Sequence, residues 1–141
     1  MSIFNAEDST RSSLDRVRSY TAGHVNEEID HQTDINIHHY KGKSRAEILE
    51  RIQMLDKEWD IERVLEVNAS TLALTGLILG LANNRKWLLL PGIVLPFLFQ
   101  HGLQGWCPPL PLLRRLGIRT RGEIDREKYA LKVRLKKAEL I

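Results

Sequence analysis

Cys107 is the residue whose chemistry would matter most in this sequence, because it is the only cysteine among 141 residues. It follows an apolar block, and several arginines come shortly after it. Nearby cations favour a thiolate, so Cys107 is a candidate reactive thiol that would attack an electrophile or accept a persulfide sulfur. The interpretation that we favour is structural, a small buried side chain in a proline-rich turn. A Cys-Pro pair is also a weak sign of a haem ligand.

A second set of polar side chains lies inside the apolar part of the chain, where hydrogen-bonding groups need a partner. His101 and Gln104 share one face of a helix, and Asn68 and Ser70 would lie at the same end of an antiparallel helix pair. We expect hydrogen bonds between the two helices here rather than a metal site, since the other histidines lie far away in the N-terminal part. The predicted polar cluster consists of Asn68, Ser70, Gln100, His101 and Gln104.

The sequence contains no motif of a common enzyme class. A phosphate-binding loop, a catalytic triad, a paired zinc-ligand spacing and a dinucleotide-binding fingerprint are all missing from it. We therefore expect no enzymatic activity, no bound metal and no cofactor.

Residues 65–106 contain two apolar blocks joined by a four-residue polar turn, in a chain whose other parts are densely charged. The only charged residues among them are Glu66, Arg85 and Lys86. This apolar density predicts two membrane-spanning helices that form a hairpin over residues 67–106. The first block alone covers roughly 24 Å of helix, which is short for a hydrocarbon core of about 30 Å.

Tryptophan residues mark the ends of the two blocks. Trp87 and Trp106 are 19 positions apart, and a helix of that length covers roughly 28 Å. The two indoles would therefore lie in opposite interfaces of a bilayer, with Trp59 as a further anchor beside the first block. This spacing favours a membrane hairpin over the alternative, a soluble helical oligomer whose apolar blocks form a shared core.

Small residues in the first block predict close helix packing. Gly76 and Gly80 are four positions apart, and Ala69 and Ala73 continue the same face of the helix. Such residues let two helices approach closely, either within the hairpin or between two copies of the chain.

Pro91 and Pro96 complicate the second block, because each removes a backbone donor and bends a helix. A backbone carbonyl that loses its helical hydrogen bond needs another donor inside a membrane, so we expect both prolines to face the neighbouring helix. A broken or re-entrant helix is the alternative for this block.

The flanking segments are predicted from periodicity and caps. Residues 1–43 lack sustained periodicity, which predicts a largely disordered polar tail. Ser44 and Glu47 form a capping-box pattern at the start of an amphipathic helix, residues 44–66, that no Gly or Pro separates from the first apolar block. Residues 107–141 are expected to begin with a proline-rich exit from the hairpin and to end in a basic helix.

A second capping-box pattern, Thr120 with Glu123, predicts the start of that C-terminal helix. Ile124, Leu131 and Leu135 share one face of it, which predicts the side that packs on the rest of the protein. Its basic residues lie near its C-terminal end, where their charge interacts favourably with the helix dipole and with an anionic surface.

Charge is concentrated at the C-terminal end, where residues 114–141 hold 10 Lys and Arg against 4 Asp and Glu. A basic end suits a membrane surface or a nucleic acid, and its position after an apolar block favours anionic lipid headgroups over nucleic acid. Nine basic residues lie in the two flanks of the apolar blocks, residues 45–64 and 107–126, against two in the turn. The positive-inside rule then places both termini in the cytoplasm.

A resemblance to a known family rests on two segments, LDKEWDIERVLEVNAS (residues 55–70) and GWCPPLPLLRRLGIRTRGEIDREKYALK (residues 105–132). Both are similar to the YgaP-like inner-membrane transmembrane domain family of small bacterial proteins of unknown function. The most specific piece, Gly105-x-Cys107-Pro108, resembles the G-x-C-P signature that follows the family's second helix. The resemblance implies two transmembrane helices in a bacterial inner membrane. Some relatives carry a rhodanese, a sulfur-transfer domain that this sequence lacks, so sulfur transfer would need a partner protein.

Together these patterns predict an all-α integral membrane protein built on a two-helix transmembrane hairpin, flanked by an amphipathic helix and a basic helix. We expect a non-enzymatic scaffold or interaction module that forms homo-oligomers. The alternative is a thiol- or sulfur-handling membrane accessory protein that acts through Cys107.

Overall fold

The computed structural model describes residues 16–140, and every regular element within them is helical. The predicted all-α class is therefore confirmed. A 3₁₀ turn, Arg85–Leu88, joins the two most apolar helices. The α-helices in chain order are α1 (Arg16–Ser19), α2 (Gly23–His39), α3 (Arg45–Lys57), α4 (Ile61–Ala82), α5 (Leu89–Gln104), α6 (Leu110–Arg115) and α7 (Arg121–Glu139).

Helices α4 and α5 form an antiparallel hairpin, with the 3₁₀ turn at its tip. The apolar part of α4 and the stretch Arg85–Gln104 are each long and apolar enough to cross a membrane. Helix α4 has 22 residues, which cover roughly 33 Å and exceed a hydrocarbon core of about 30 Å. The six residues before Val67 include Glu62, Arg63 and Glu66, so half of the added length is charged and the apolar part of α4 stays as short as predicted.

The two helices are closest near the tip, at the small residues of α4. A Cβ added to Gly76 would lie 2.5 Å from Cδ of Pro91 and 2.9 Å from the carbonyl oxygen of Trp87, so only glycine fits there. Gly80 is equally close to Leu88, and Ala69 and Ala73 are half-buried on the same side. Because Gly76 is buried against α5 and Gly80 against the 3₁₀ turn, this face is occupied within the hairpin and is not free for a second copy.

The two prolines of α5 differ in their surroundings. Pro91 faces Gly76 of α4, as predicted, but Pro96 is exposed, so the prediction that it faces the neighbouring helix is wrong. The side of α5 that faces α4 carries Pro91, Val94 and His101, and Pro96 falls off this stripe. Helix α5 continues through Pro96 without a break, so the second block is one helix rather than a broken one.

The amphipathic helix does not run on into the apolar block, although no Gly or Pro separates them. Helix α3 ends at Lys57, and Asp60 caps a new helix by accepting a hydrogen bond from the Arg63 amide at 2.9 Å. The break is stabilised by contacts with a distant segment: the Ile61 amide donates to the Arg119 carbonyl at 2.9 Å. Local sequence alone could not show these contacts.

Helix α2 contradicts the predicted disorder for much of the N-terminal tail. Its apolar stripe is weak, which is why periodicity did not indicate it. Ion pairs with α7 hold it in place, since Arg126 pairs with Asp34 at 2.7 Å and with Asp30 at 3.4 Å. Residues 1–15 lie outside the described residues. The buried residues of α2 are Val25, Ile29 and Thr33.

Helices α1, α2, α3, α6 and α7 form a unit at the open end of the hairpin, which we call the cap. Both predicted capping boxes are present, at Ser44 with Glu47 and at Thr120 with Glu123. A base cluster joins the cap to the hairpin and comprises Val17, Ile61, Leu65, Cys107 and Leu110. A cap cluster between α3 and α7 comprises Ile48, Ile52, Leu55, Ile124 and Leu131, with Leu135 packed against it.

Candidate functional site

His101 in the last turn of α5 pairs with Glu62 in the first turn of α4, at the base of the hairpin. Nε2 of His101 lies 2.7 Å from a carboxylate oxygen of Glu62, and the His101 side chain is buried. The expectation of a hydrogen bond between the two helices is confirmed, but the predicted partners, Asn68 and Ser70, are wrong. The partner lies earlier in the chain because α4 begins at Ile61.

The other members of the predicted polar cluster do not form one site. Gln100 donates to Gln104 at 3.3 Å, so these two amides satisfy each other on the same helix. Asn68 lines a cleft together with His101, whereas Ser70 is exposed on α4. The structure therefore divides the cluster into a histidine–carboxylate pair, a glutamine pair and two separate residues.

Cys107 is buried in the base cluster, with 4% of its surface exposed. Burial raises the pKa of its thiol, the nearby Glu62 charge raises it further, and a hydrogen bond from the Leu110 backbone opposes both. The burial agrees with the favoured structural interpretation, a small buried side chain, and opposes the alternative in which neighbouring arginines favour a thiolate. Arg114, the first arginine after Cys107 in the chain, is bound to the Glu123 carboxylate instead, and Cys107 packs in the base cluster.

We expect Cys107 to react slowly with a maleimide in the folded protein at neutral pH, because the reactive thiolate is both scarce and enclosed. Labelling followed by mass spectrometry checks this, with the denatured chain as the fully reactive control. Labelling at the same rate before and after denaturation would contradict the buried placement.

A cleft of about 430 Å³ lies between α4 and α5, on the base side of the Gly76 contact. We call it the hairpin cleft. Most of its wall is apolar, and its polar lining residues are Asn68, Thr71, His101 and Cys107. The main apolar residues are Leu65, Leu72, Val94, Phe97, Leu98 and Leu113.

Inside the cap, Arg114 is fully buried and binds Glu123 through two hydrogen bonds, of 2.6 Å and 2.8 Å. Arg114 also donates to Thr21 and Asn26, and Arg18 donates a third hydrogen bond to Glu123 at 2.5 Å. Burial by itself raises the pKa of the Glu123 carboxyl, but the bonds from Arg114, Arg18 and the backbone outweigh it and lower the pKa. Glu123 is therefore a buried carboxylate at neutral pH.

A second buried pair lies one turn further along α7. Glu127 is fully buried and accepts from Arg119 at 2.6 Å and from Arg51 at 2.8 Å. Arg119 also binds Glu58, in the linker between α3 and α4, at 2.6 Å and 2.8 Å. These pairs connect the hairpin base, α3 and α7 into one polar network.

Sequence reasoning missed this network, since Arg114 and Arg119 were counted only as cations beside a membrane. A signal was present: Glu123 and Glu127 are four residues apart and flank Ile124 on the face that was predicted to pack. A carboxylate on a buried face requires a cation as its partner.

The basic residues late in α7 lie at the end of the cap that is far from the hairpin. Arg121, at the start of α7, pairs with Asp60 beside α4 at 2.7 Å, whereas Glu139, at its end, pairs with Arg45 at the start of α3. Arg45 and Asp60, at the two ends of α3 with its linker, are roughly 20 Å apart, so the end of α7 lies about that far from the hairpin. The predicted contact of this helix with anionic headgroups stays a prediction.

The three predicted tryptophan anchors lie at the two ends of the hairpin. Trp87 is exposed at the tip, and Trp106 is half-buried against the base cluster. Trp59 is exposed near the base, with the guanidinium of Arg63 4.4 Å from its ring centre. Their role as interfacial anchors stays a prediction.

Comparisons with known proteins give no match, whether with family models, curated proteins or solved structures. The resemblance of two segments to the YgaP-like family therefore stays a prediction.

Proposed function

We propose that this is an integral membrane protein whose hairpin crosses a bilayer twice and whose cap stays on one side. The main support for the proposal is the exposure of the hairpin. Only 17% of the most apolar 18-residue stretch of the first span is buried, and only 6% of that of the second span. The core helix of a soluble protein would be mostly buried. Large exposed apolar residues of the hairpin include Leu72, Leu74, Leu77, Ile78, Leu81, Leu89, Ile93, Leu95, Phe97, Phe99 and Leu103.

The same exposed residues argue against a soluble oligomer with a shared core. At 100° per residue, they cover more than half of the circumference of each helix. A second copy covers one face of a helix, whereas lipid covers every outward face at once. An apolar surface of this extent on a soluble protein would lead to aggregation.

We place both ends of the hairpin in the cytoplasm of a bacterial cell and the hairpin in its inner membrane. The basic residues near the base outnumber the two in the turn, and the positive-inside rule counts cations whatever their partners in the folded state. The bacterial inner membrane follows from the resemblance to the YgaP-like family.

We further propose that the protein acts as a scaffold or interaction module and forms homo-oligomers. Gly76 and Gly80 are occupied within the hairpin, so self-association would use an outward face, such as that of Phe99 and Leu103 on α5. The cap offers a rigid surface to a partner, because its charges are fixed in a buried network rather than on flexible loops.

The alternative, a sulfur-handling accessory that acts through Cys107 with a sulfur-transfer partner, has weaker support. A persulfide acceptor needs an accessible, low-pKa thiol. Cys107 is buried and its pKa is raised, so this function would require the base of the hairpin to open.

Extraction of native membranes with alkaline carbonate tests the membrane placement. We expect the chain to remain in the pellet and to dissolve only in detergent, because the hairpin buries its apolar surface in lipid. Recovery of the chain in the carbonate supernatant would contradict the proposal.

A matched pair of variants shows whether the hairpin is responsible. Leu74→Lys places a charge on an exposed position near the middle of the apolar part of α4, where insertion becomes less favourable by about 3 kcal/mol, and should shift the chain toward the supernatant. Leu49→Lys, at an exposed position of the cap, should leave the distribution unchanged.

A further inference from the structure

The hairpin cleft has the dimensions and composition of a ligand site. Its volume of about 430 Å³ lies within the range of roughly 300–1,000 Å³ that is usual for small-molecule pockets. Apolar side chains from both helices form most of the wall. His101 lies at the base end of the wall, so a ligand whose polar group reaches His101 would be oriented with that group toward the cap.

His101 gives this site a specific hydrogen-bonding atom. Its Nδ1 is buried and has no hydrogen-bond partner among residues 16–140. Its Nε2 lies 2.7 Å from the Glu62 carboxylate. An ionised carboxylate only accepts hydrogen bonds, so Nε2 carries the hydrogen, and in the neutral ring Nδ1 is then an acceptor. A buried acceptor without a donor is unfavourable, and a hydroxyl group supplies what is missing.

We propose that the hairpin cleft binds a membrane amphiphile with a long alkyl chain and a hydroxyl head, whose hydroxyl donates to Nδ1 of His101. The alkyl chain would lie against Phe97, Leu98 and Leu72, toward the Gly76 contact that closes the cleft on the tip side. This inference rests on the proposed insertion of the hairpin, since the ligand would enter from the bilayer.

The chemistry of the wall selects against other ligand classes. Among the residues that line the cleft there is no arginine or lysine, so a phosphate or carboxylate head would be buried without a counter-ion. A molecule with no donor, such as an alkane, would fill the apolar part but would leave Nδ1 unpaired. The hydroxyl is therefore the feature that the site recognises.

The experiment uses the full chain in phosphatidylcholine nanodiscs and hexadecanol that carries a photoreactive diazirine in its alkyl chain. The matched probe is the methyl ether of the same molecule, which has equal length but no donor. We expect the alcohol to label cleft residues of α4 and α5 saturably. The ether should label them about fivefold to tenfold more weakly, the effect of one hydrogen bond.

Two variants of adjacent residues locate the site. Val94→Trp fills the cleft and should abolish saturable labelling by the alcohol, whereas Ile93→Trp, exposed on the same helix, should preserve it. His101→Phe should make the alcohol and the ether equal. Equal labelling of the unaltered chain by both probes, or labelling that never saturates, would overturn the inference while leaving the membrane hairpin intact. Failure of the chain to enter nanodiscs would overturn the proposed function as well.

Discussion

Replacing Arg114 with methionine lowers the stability of the protein by about 3 kcal/mol or more. Loss of one partner from a buried ion pair commonly costs about 3–5 kcal/mol, because the other charge stays buried and unpaired. The lower end applies here since Arg18 keeps one bond to Glu123. The variant also leaves Thr21 and Asn26 without a donor that the native fold supplies. Thermal melting in a mild detergent, followed by helical circular dichroism, measures the loss.

Arg115 provides the control, because it is the next residue, carries the same charge and is exposed. Arg115→Met should change the stability by less than about 0.5 kcal/mol, as expected for an isolated surface charge. Equal melting temperatures for Arg114→Met and Arg115→Met would show that the buried network does not stabilise the cap.

Gly76→Ala disrupts the hairpin although it adds a single methyl group. The added carbon would lie 2.5 Å from Cδ of Pro91 and 2.9 Å from the backbone carbonyl of Trp87, so either the rigid ring or the backbone must move. Overpacking of this kind costs about 1–3 kcal/mol. Unfolding of the purified protein by increasing fractions of sodium dodecyl sulfate measures the change.

Gly92 tests whether the effect is steric. It lies in α5, and a Cβ added there meets no atom of residues 16–140 within 4 Å. Gly92→Ala should therefore be neutral or stabilising, because alanine has the higher helix propensity. If both substitutions destabilise the hairpin equally, the close contact at Gly76 is not what holds the two helices together.

Local patterns predicted a large part of this fold. The capping boxes at Ser44 and Thr120 depend only on residues three positions apart, and both are present. The two long apolar helices follow from composition. A partner for His101 on the other helix is predicted correctly, but the predicted partners, Asn68 and Ser70, lie about two helical turns beyond the actual partner, Glu62.

The features that sequence did not reveal all depend on contacts between distant segments. Helix α2 has a weak apolar stripe and is held by Arg126 of α7. The break before α4 depends on the Arg119 carbonyl, and the buried Glu127 depends on Arg119 and Arg51. The hairpin cleft likewise exists because α4 and α5 meet closely at Gly76 and are joined again at Glu62 and His101. The burial of Glu127 has a signature within α7, but the partner in each of these pairings lies in another segment and has none.

The central claim is that the hairpin spans a membrane with its tip on one side and the cap on the other. Single cysteines in a Cys107→Ser background test it, one at the tip (Asn83→Cys) and one in the cap (Lys57→Cys), both at exposed positions. Bacterial cells that express each variant are treated with a membrane-impermeant maleimide before and after permeabilisation. The account predicts that the tip cysteine is labelled in intact cells and the cap cysteine only after permeabilisation. Identical behaviour of the two cysteines in intact cells would contradict a hairpin that crosses the membrane.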